Sequence, residues 1–147
     1  MKKPAKSHIS LLDSVFSDIW IGGDLDKIDD YFHADVKIYG IVPDVPLTRS
    51  EYRDWVEQFF ALAKMGSYRI GDSIYGDQGQ FAHRFVSTLT AVSTGKTGSI
   101  NGMAFGHIQD DKLISVHTVL DQLSFFEEIG LLPESSSLLL LSGTPLS

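Results

Sequence analysis

The sequence predicts an α+β fold, with helices gathered ahead of Ser67 and an antiparallel meander of strands behind it. Three observations carry this. Amphipathic stretches of helical period occupy the first part of the chain, and alternating apolar and polar residues broken by tight turns occupy the second. The third is the stretch Gly102 to Pro133, GMAFGHIQDDKLISVHTVLDQLSFFEEIGLLP. It reads as a strand, a turn at Gln109-Asp110-Asp111-Lys112, a second strand, and a short apolar helix ending at Gly130 and stopped by Pro133. A long hairpin running into a terminal helix closes a curved sheet, and such a concavity suits a small molecule.

Taken in order, Ser7 to Ile19 carries a helical stripe of Ile9, Leu11, Leu12, Val15, Phe16 and Ile19, broken by Gly22-Gly23. Asp24 is placed as the cap of a second short helix with Leu25, Ile28, Tyr31 and Phe32 on its apolar side. Val36, Ile38 and Tyr39 form a strand that ends in the turn-rich segment GIVPDVPLT. Ser50 is placed as the cap of a third helix, Glu51 to Ala63, whose early glutamate suits the positive end of the helix dipole. Strands follow at Tyr68 to Tyr75, Gln80 to Val92, Ser99 to Gln109 and Leu113 to Leu120. The segment from Glu134, ESSSLLLLSGTPLS, reads either as a loose tail or as a short strand or clip.

The 147 residues are ample for one core, so the expected organisation is a single domain over 1–147, with its core at about 8–133 and a C-terminal tail at 134–147. The sequence has no cysteine, which excludes disulfides, thiolate metal sites and a cysteine nucleophile. A formal net charge of −7 with dispersed lysines and arginines argues against a nucleic-acid partner. Lys2, Lys3 and Lys6 have no apolar run behind them, and Leu138 to Leu141 is too short to span a bilayer. The expectation is a cytoplasmic protein without a membrane partner. The five histidines lack His-x-His or His-x₃-His spacing, so no metal site is expected.

Three motifs in order and spacing carry a resemblance. Ile19-Trp20-Ile21-Gly22-Gly23-Asp24-Leu25-Asp26 with Tyr31-Phe32-His33-Ala34-Asp35 resembles the W-x-x-G-D-x-D opening of the SnoaL-like polyketide cyclases. The turn Gln109-Asp110-Asp111-Lys112-Leu113 is similar to their x-D-G-K-I hairpin, with Asp111 where glycine is usual. Leu120-Asp121 followed by Phe126-Glu127-Glu128-Ile129-Gly130 is similar to their closing helix. The resemblance runs from Leu11 to Pro133. It implies the nuclear transport factor 2-like α+β barrel of the ketosteroid isomerase type: a cone-shaped curved antiparallel sheet wrapped by N-terminal helices, with a deep apolar pocket, commonly homodimeric. It also implies ring closure by intramolecular aldol chemistry with no cofactor, using an acid/base aspartate assisted by histidine and amide groups.

Carried over position by position, those polar groups are replaced. The aspartate position is Thr118, the histidine and glutamine positions are Ala104 and Gly102, and the asparagine falls near Ile38. The proline-rich loop of many members is a short turn here, Ser93 to Ser99. Strand alternation then puts Gly102, Ala104, Gly106, Val116 and Thr118 on the pocket side, with His107 and His117 on the other face. This wall, with Ile38, suits a small hydrophobic molecule.

The residues left for chemistry are Asp121, His83 and Tyr39. Asp121 reads either as an acid/base group or as the cap of the helix behind it. Of the neighbours His83 and Arg84 only one faces inward, and an inward Arg84 would anchor an acidic ligand. Tyr39 reads either as a hydrogen-bond donor to a carbonyl in the pocket or as a rim residue. Phe105, Met103 and Phe85 are placed on an exposed sheet face that would form a homodimer. Two functions stay open: a cofactor-free cyclase- or isomerase-like enzyme acting on a hydrophobic polyketide- or steroid-like carbonyl compound, and a non-catalytic ligand-binding or dimerisation module. They separate on whether any carboxylate or imidazole points into the cavity.

Overall fold

A computed structural model describes residues 6–147. Helix α1, Lys6–Ser14, runs into a π-helical segment, Val15–Ile21, and is followed by α2, Lys27–Tyr31. Strands β1, Phe32–Val42, and β2, Val45–Leu47, precede helix α3, Arg49–Leu62. Four long strands follow: β3, Ala63–Tyr75; β4, Gln80–Ala91; β5, Thr97–Gln109; and β6, Lys112–Leu120. Helices α4, Gln122–Glu128, and α5, Ser136–Leu141, close the chain. Lys2 and Lys3 lie outside the described residues.

The six strands make one curved, unclosed sheet in the order β2-β1-β6-β5-β4-β3. The β3–β4–β5–β6 meander is antiparallel, as expected. The pairing of β1 with β6 is parallel, which corrects the fully antiparallel sheet expected from the sequence. One turn of the meander has a distinctive backbone. Asp110 and Asp111 both take positive φ, 54° and 59°, the geometry of a two-residue hairpin turn whose twist matches the strands it joins.

Local chemistry moves several helix boundaries. The first apolar stripe does not stop at Ile19. Gly22 donates to the Ser17 carbonyl at 2.9 Å, an i to i−5 bond, so the last turns widen into a π-helix before Gly23, with φ of 71°, ends it. Asp24 does not cap α2; Asp26 stands at that position and its side chain makes no capping bond. Helix α3 is capped by Thr48 rather than Ser50. Thr48 Oγ1 accepts from Glu51 N at 3.3 Å, and Glu51 Oε1 accepts from Thr48 N at 3.0 Å, a reciprocal capping box. The carboxylate of Glu51 is held below its ordinary range chiefly by that backbone bond. The leucine run of the tail forms α5, neither a strand nor a loose end, and Ser137 N donates to Glu127 Oε1 at 2.6 Å to tie it to α4.

Two apolar clusters fill the concave side. The larger joins α1, the π-helical segment, α2, α3 and β1 through residues such as Leu12, Ile19, Ile28, Val36 and Val56. The smaller joins α4 to the β4–β5 turn end of the meander through Leu89, Ala91, Ile100, Phe125 and Ile129. Between them the filling is incomplete.

Candidate functional site

The unfilled space is a cavity of about 120 Å³ in the volume open to the centre of a water molecule. At roughly 10–15 Å³ for one water by that measure, it holds around ten waters, or an organic molecule of a dozen or so heavy atoms. The π-helical segment contributes Phe16 and Trp20, α3 contributes Tyr52, Trp55 and Phe59, and β1 contributes Ile38 and Ile41. The sheet supplies the rest of the wall, including Phe81, His83, Phe85 and Ser87 of β4 and Ala104, Val116 and Thr118 of β5 and β6. Among the described residues no aspartate, glutamate, lysine or arginine lines it.

The β4 side of this wall is built by a repeated fit with β5. Antiparallel register sets Phe81 opposite Gly106, His83 opposite Ala104 and Phe85 opposite Gly102. Each ring on β4 thus faces a residue with little or no side chain. A Cβ on Gly106 would fall 2.8 Å from Phe81, and one on Gly102 would fall 2.3 Å from Phe85. The small residues of β5 leave the sheet surface bare so that the rings of β4 can lie along it.

His83 sits in the middle of this row and is 6% exposed. Its ring centroid lies 5.4 Å from that of Phe81, 5.6 Å from Phe85 and 6.3 Å from Phe16. Its Nδ1 is buried with no hydrogen-bond partner. Burial pushes the imidazole down to about 4, so it is neutral at pH 7. Four residues on, Ser87 is 2% exposed and its Oγ also lacks a partner. Buried polar atoms are almost always paired, so two on one cavity wall without a protein partner single out this stretch as a candidate contact for a polar group. Tyr52 is the other ionisable group on the wall, and burial pushes its phenol up to about 12, so it keeps its proton.

The remaining sequence candidates divide by face. Ile38, Ala104, Val116 and Thr118 line the cavity, and Gly102 lies behind Phe85. The Thr118 hydroxyl donates to the Met103 carbonyl at 3.4 Å. Arg84 points outward and pairs with Asp72 at 2.8 Å, so the inward anchor for an acidic ligand is absent. Tyr39 is on the outer face, stacked on His117. Asp121 lies outside the cavity wall and caps α4, accepting from Ser124 N at 3.2 Å and Ser124 Oγ at 2.9 Å. Phe85 belongs to the cavity and not to the exposed face, because β4 alternation that turns His83 inward turns Phe85 inward too. A bulge between β5 and β6 brings Leu113 to the wall, where strict alternation back from Val116 would place Ile114. Among the described residues no cluster of three His, Asp or Glu side chains could hold a metal.

Ser87 and Tyr52 are functional candidates that the sequence reasoning missed. The signal for Ser87 was present: Phe81, His83, Phe85, Ser87 and Leu89 alternate strictly, leaving a hydroxyl among apolar partners.

The SnoaL-like domain model matches residues 15–116, which include the π-helical segment, α3 and most of the cavity wall. The chain belongs to the SnoaL-like family. Solved structures agree on the fold. A candidate isomerase from Bacillus subtilis superposes with a TM-score of 0.74 at 9% identity, over 85% of this chain and 94% of that one. TsrD from Streptomyces laurentii gives 0.72 at 15% identity, over 88% and 100%. IdmH from Streptomyces antibioticus, a candidate polyketide cyclase, gives 0.69 at 16% identity, over 84% and 98%. No curated protein sequence matches the chain. This SnoaL-like chain therefore has the nuclear transport factor 2-like α+β architecture expected of it, with the sheet left open.

Proposed function

We propose that this SnoaL-like chain is a cofactor-free enzyme of the cyclase or isomerase kind, acting on a hydrophobic carbonyl compound with His83 as proton carrier. The observation that supports it is a neutral imidazole on the wall of an apolar cavity, with a ring nitrogen lacking any partner. His83 stands on the same rung of the sheet as Ala104 and Thr118, the positions where the cyclases carry their histidine and aspartate. The imidazole thus stands one strand over from where the family pattern has it.

In this reading the imidazole lone pair takes a proton from the carbon next to the carbonyl. The C–H bond breaks and its electron pair moves onto the carbonyl oxygen, giving an enolate and an imidazolium. The proton then returns to another carbon in an isomerisation, or to the alkoxide formed when the enolate closes a ring. A histidine near 4 is a weak base in the empty cavity; the enolate beside it favours the charged ring as the reaction proceeds. Tyr52, protonated at any physiological pH, adds a hydrogen-bond donor to the same wall.

The test is α-proton exchange of 2-tetralone in deuterium oxide, followed by NMR, with ligand entry read from the fluorescence of Trp20 and Trp55. Exchange above the buffer rate, reduced about 10²- to 10⁴-fold in His83→Phe, is the expected result. Binding without exchange would sink the catalytic reading and favour a non-catalytic ligand-binding module. The observation on that side is that no carboxylate among the described residues lines the cavity with His83.

The occupant we propose for the outer sheet face is a second copy of this chain. Ile74 of β3, Met103 and Phe105 of β5 and Val119 of β6 stand there 70%, 59%, 51% and 74% exposed. A two-fold axis sets such a patch against itself, with the exposed Arg84–Asp72 pair alongside.

A further inference from the structure

We infer that Ser87 is a second ligand anchor, and that the ligand is an elongated neutral molecule with an oxygen function at each end. This rests on the cavity being the ligand site, as in the proposed function, but not on any catalysis there. Ser87 and His83 face the same cavity from one strand and are the only buried side-chain polar atoms without a partner among the described residues. A hydroxyl held at 2% exposure with no hydrogen bond forgoes the water it would have in the unfolded chain. A ligand oxygen restores that bond.

The spacing fixes the ligand's length. Four residues along a strand separate the two attachment points by about 13 Å, and the side chains with their hydrogen bonds leave roughly 8–10 Å between ligand oxygens. The stretch between is apolar. Phe85 lies midway, its ring along the surface that Gly102 leaves bare, and Phe16 packs 5.2 Å from it. A two-ring hydrocarbon body covers that floor, and a charged group at either end would find no counter-ion among the described residues of the wall. The ligand is therefore a diketone, hydroxyketone or like molecule, not an acid or an amine.

Three probes of one framework test this: bicyclohexyl, bicyclohexyl-4-one and bicyclohexyl-4,4′-dione, titrated against the intact chain by tryptophan fluorescence. The dione is expected to bind about five- to tenfold more tightly than the mono-ketone, as one added hydrogen bond gives. Ser87→Ala should erase that ratio while leaving mono-ketone affinity unchanged. A dione no tighter than the mono-ketone in the unsubstituted protein, or a Ser87→Ala loss equal for both ketones, would overturn the assignment. Absent ketone exchange chemistry with this binding pattern intact would leave Ser87 as an anchor and remove only the enzymatic reading.

Discussion

Tyr39 and His117 stack face to face across the parallel β1–β6 junction, ring centroids 4.4 Å apart and planes 6° from parallel. The pair lies on the sheet face opposite His83. Tyr39→Phe preserves that stack and touches nothing in the cavity. It should leave 2-tetralone exchange within a factor of two of the unsubstituted protein, measured side by side with His83→Phe.

The desolvated imidazole also ties stability to pH. His83 is lowered from 6.5 to about 4 in the folded chain, so on acidification the unfolded chain takes up this proton first. Its contribution is complete above pH 6.5 and is lost as pH falls to about 4, by about 3 kcal/mol. Urea unfolding at intervals across that window should show the decline, and His83→Phe should flatten this part of it.

Gly102 leaves no room behind the wall for a methyl group. Its Cβ would lie 2.3 Å from Phe85 and 2.9 Å from Leu120. Gly102→Ala should destabilise the protein by about 1–3 kcal/mol through overpacking. Phe85→Leu in the same chain should recover part of that loss, a coupling that a double-mutant cycle of unfolding free energies reads directly.

Asp121 should behave as a cap. Asp121→Ala removes the acceptor for Ser124 N and should cost about 1 kcal/mol of stability. The exchange rate per folded molecule, corrected by circular dichroism, should not change.

The outer face supplies a prediction of its own. Phe105→Asp places a charge in the middle of the apolar patch and should convert a dimer to a monomer in sedimentation equilibrium. A monomeric unsubstituted chain would refute the proposed pairing.

The meander, its turns and the closing helix were legible because each rests on local pattern: strict alternation in β4, paired aspartates at the β5–β6 turn, glycine and proline behind α4. The cavity was legible only in part. Small residues at 102, 104 and 106 read as an empty wall, whereas their role depends on register with β4, which no single strand reveals. Once Phe85 pairs with Gly102, the orientations of His83, Arg84 and Phe85 all follow from alternation. The parallel β1–β6 pairing and the bulge that turns Leu113 inward are long-range events with no local signature. Ser50 and Thr48 can both cap a helix, and only the reach of Glu51 back to Thr48 N decides between them.

A cavity wall without a single charged side chain also determines how a ligand arrives. The chain carries a formal charge of −7, yet no charged side chain among the described residues lines the cavity wall, and a neutral ligand feels little of the field outside. Association should proceed without electrostatic steering, so raising sodium chloride tenfold leaves both its rate and its affinity nearly unchanged. Affinity should instead follow temperature, with the negative heat-capacity change of apolar surface leaving water. The heat of binding, more than its dependence on salt, is the signature this wall writes.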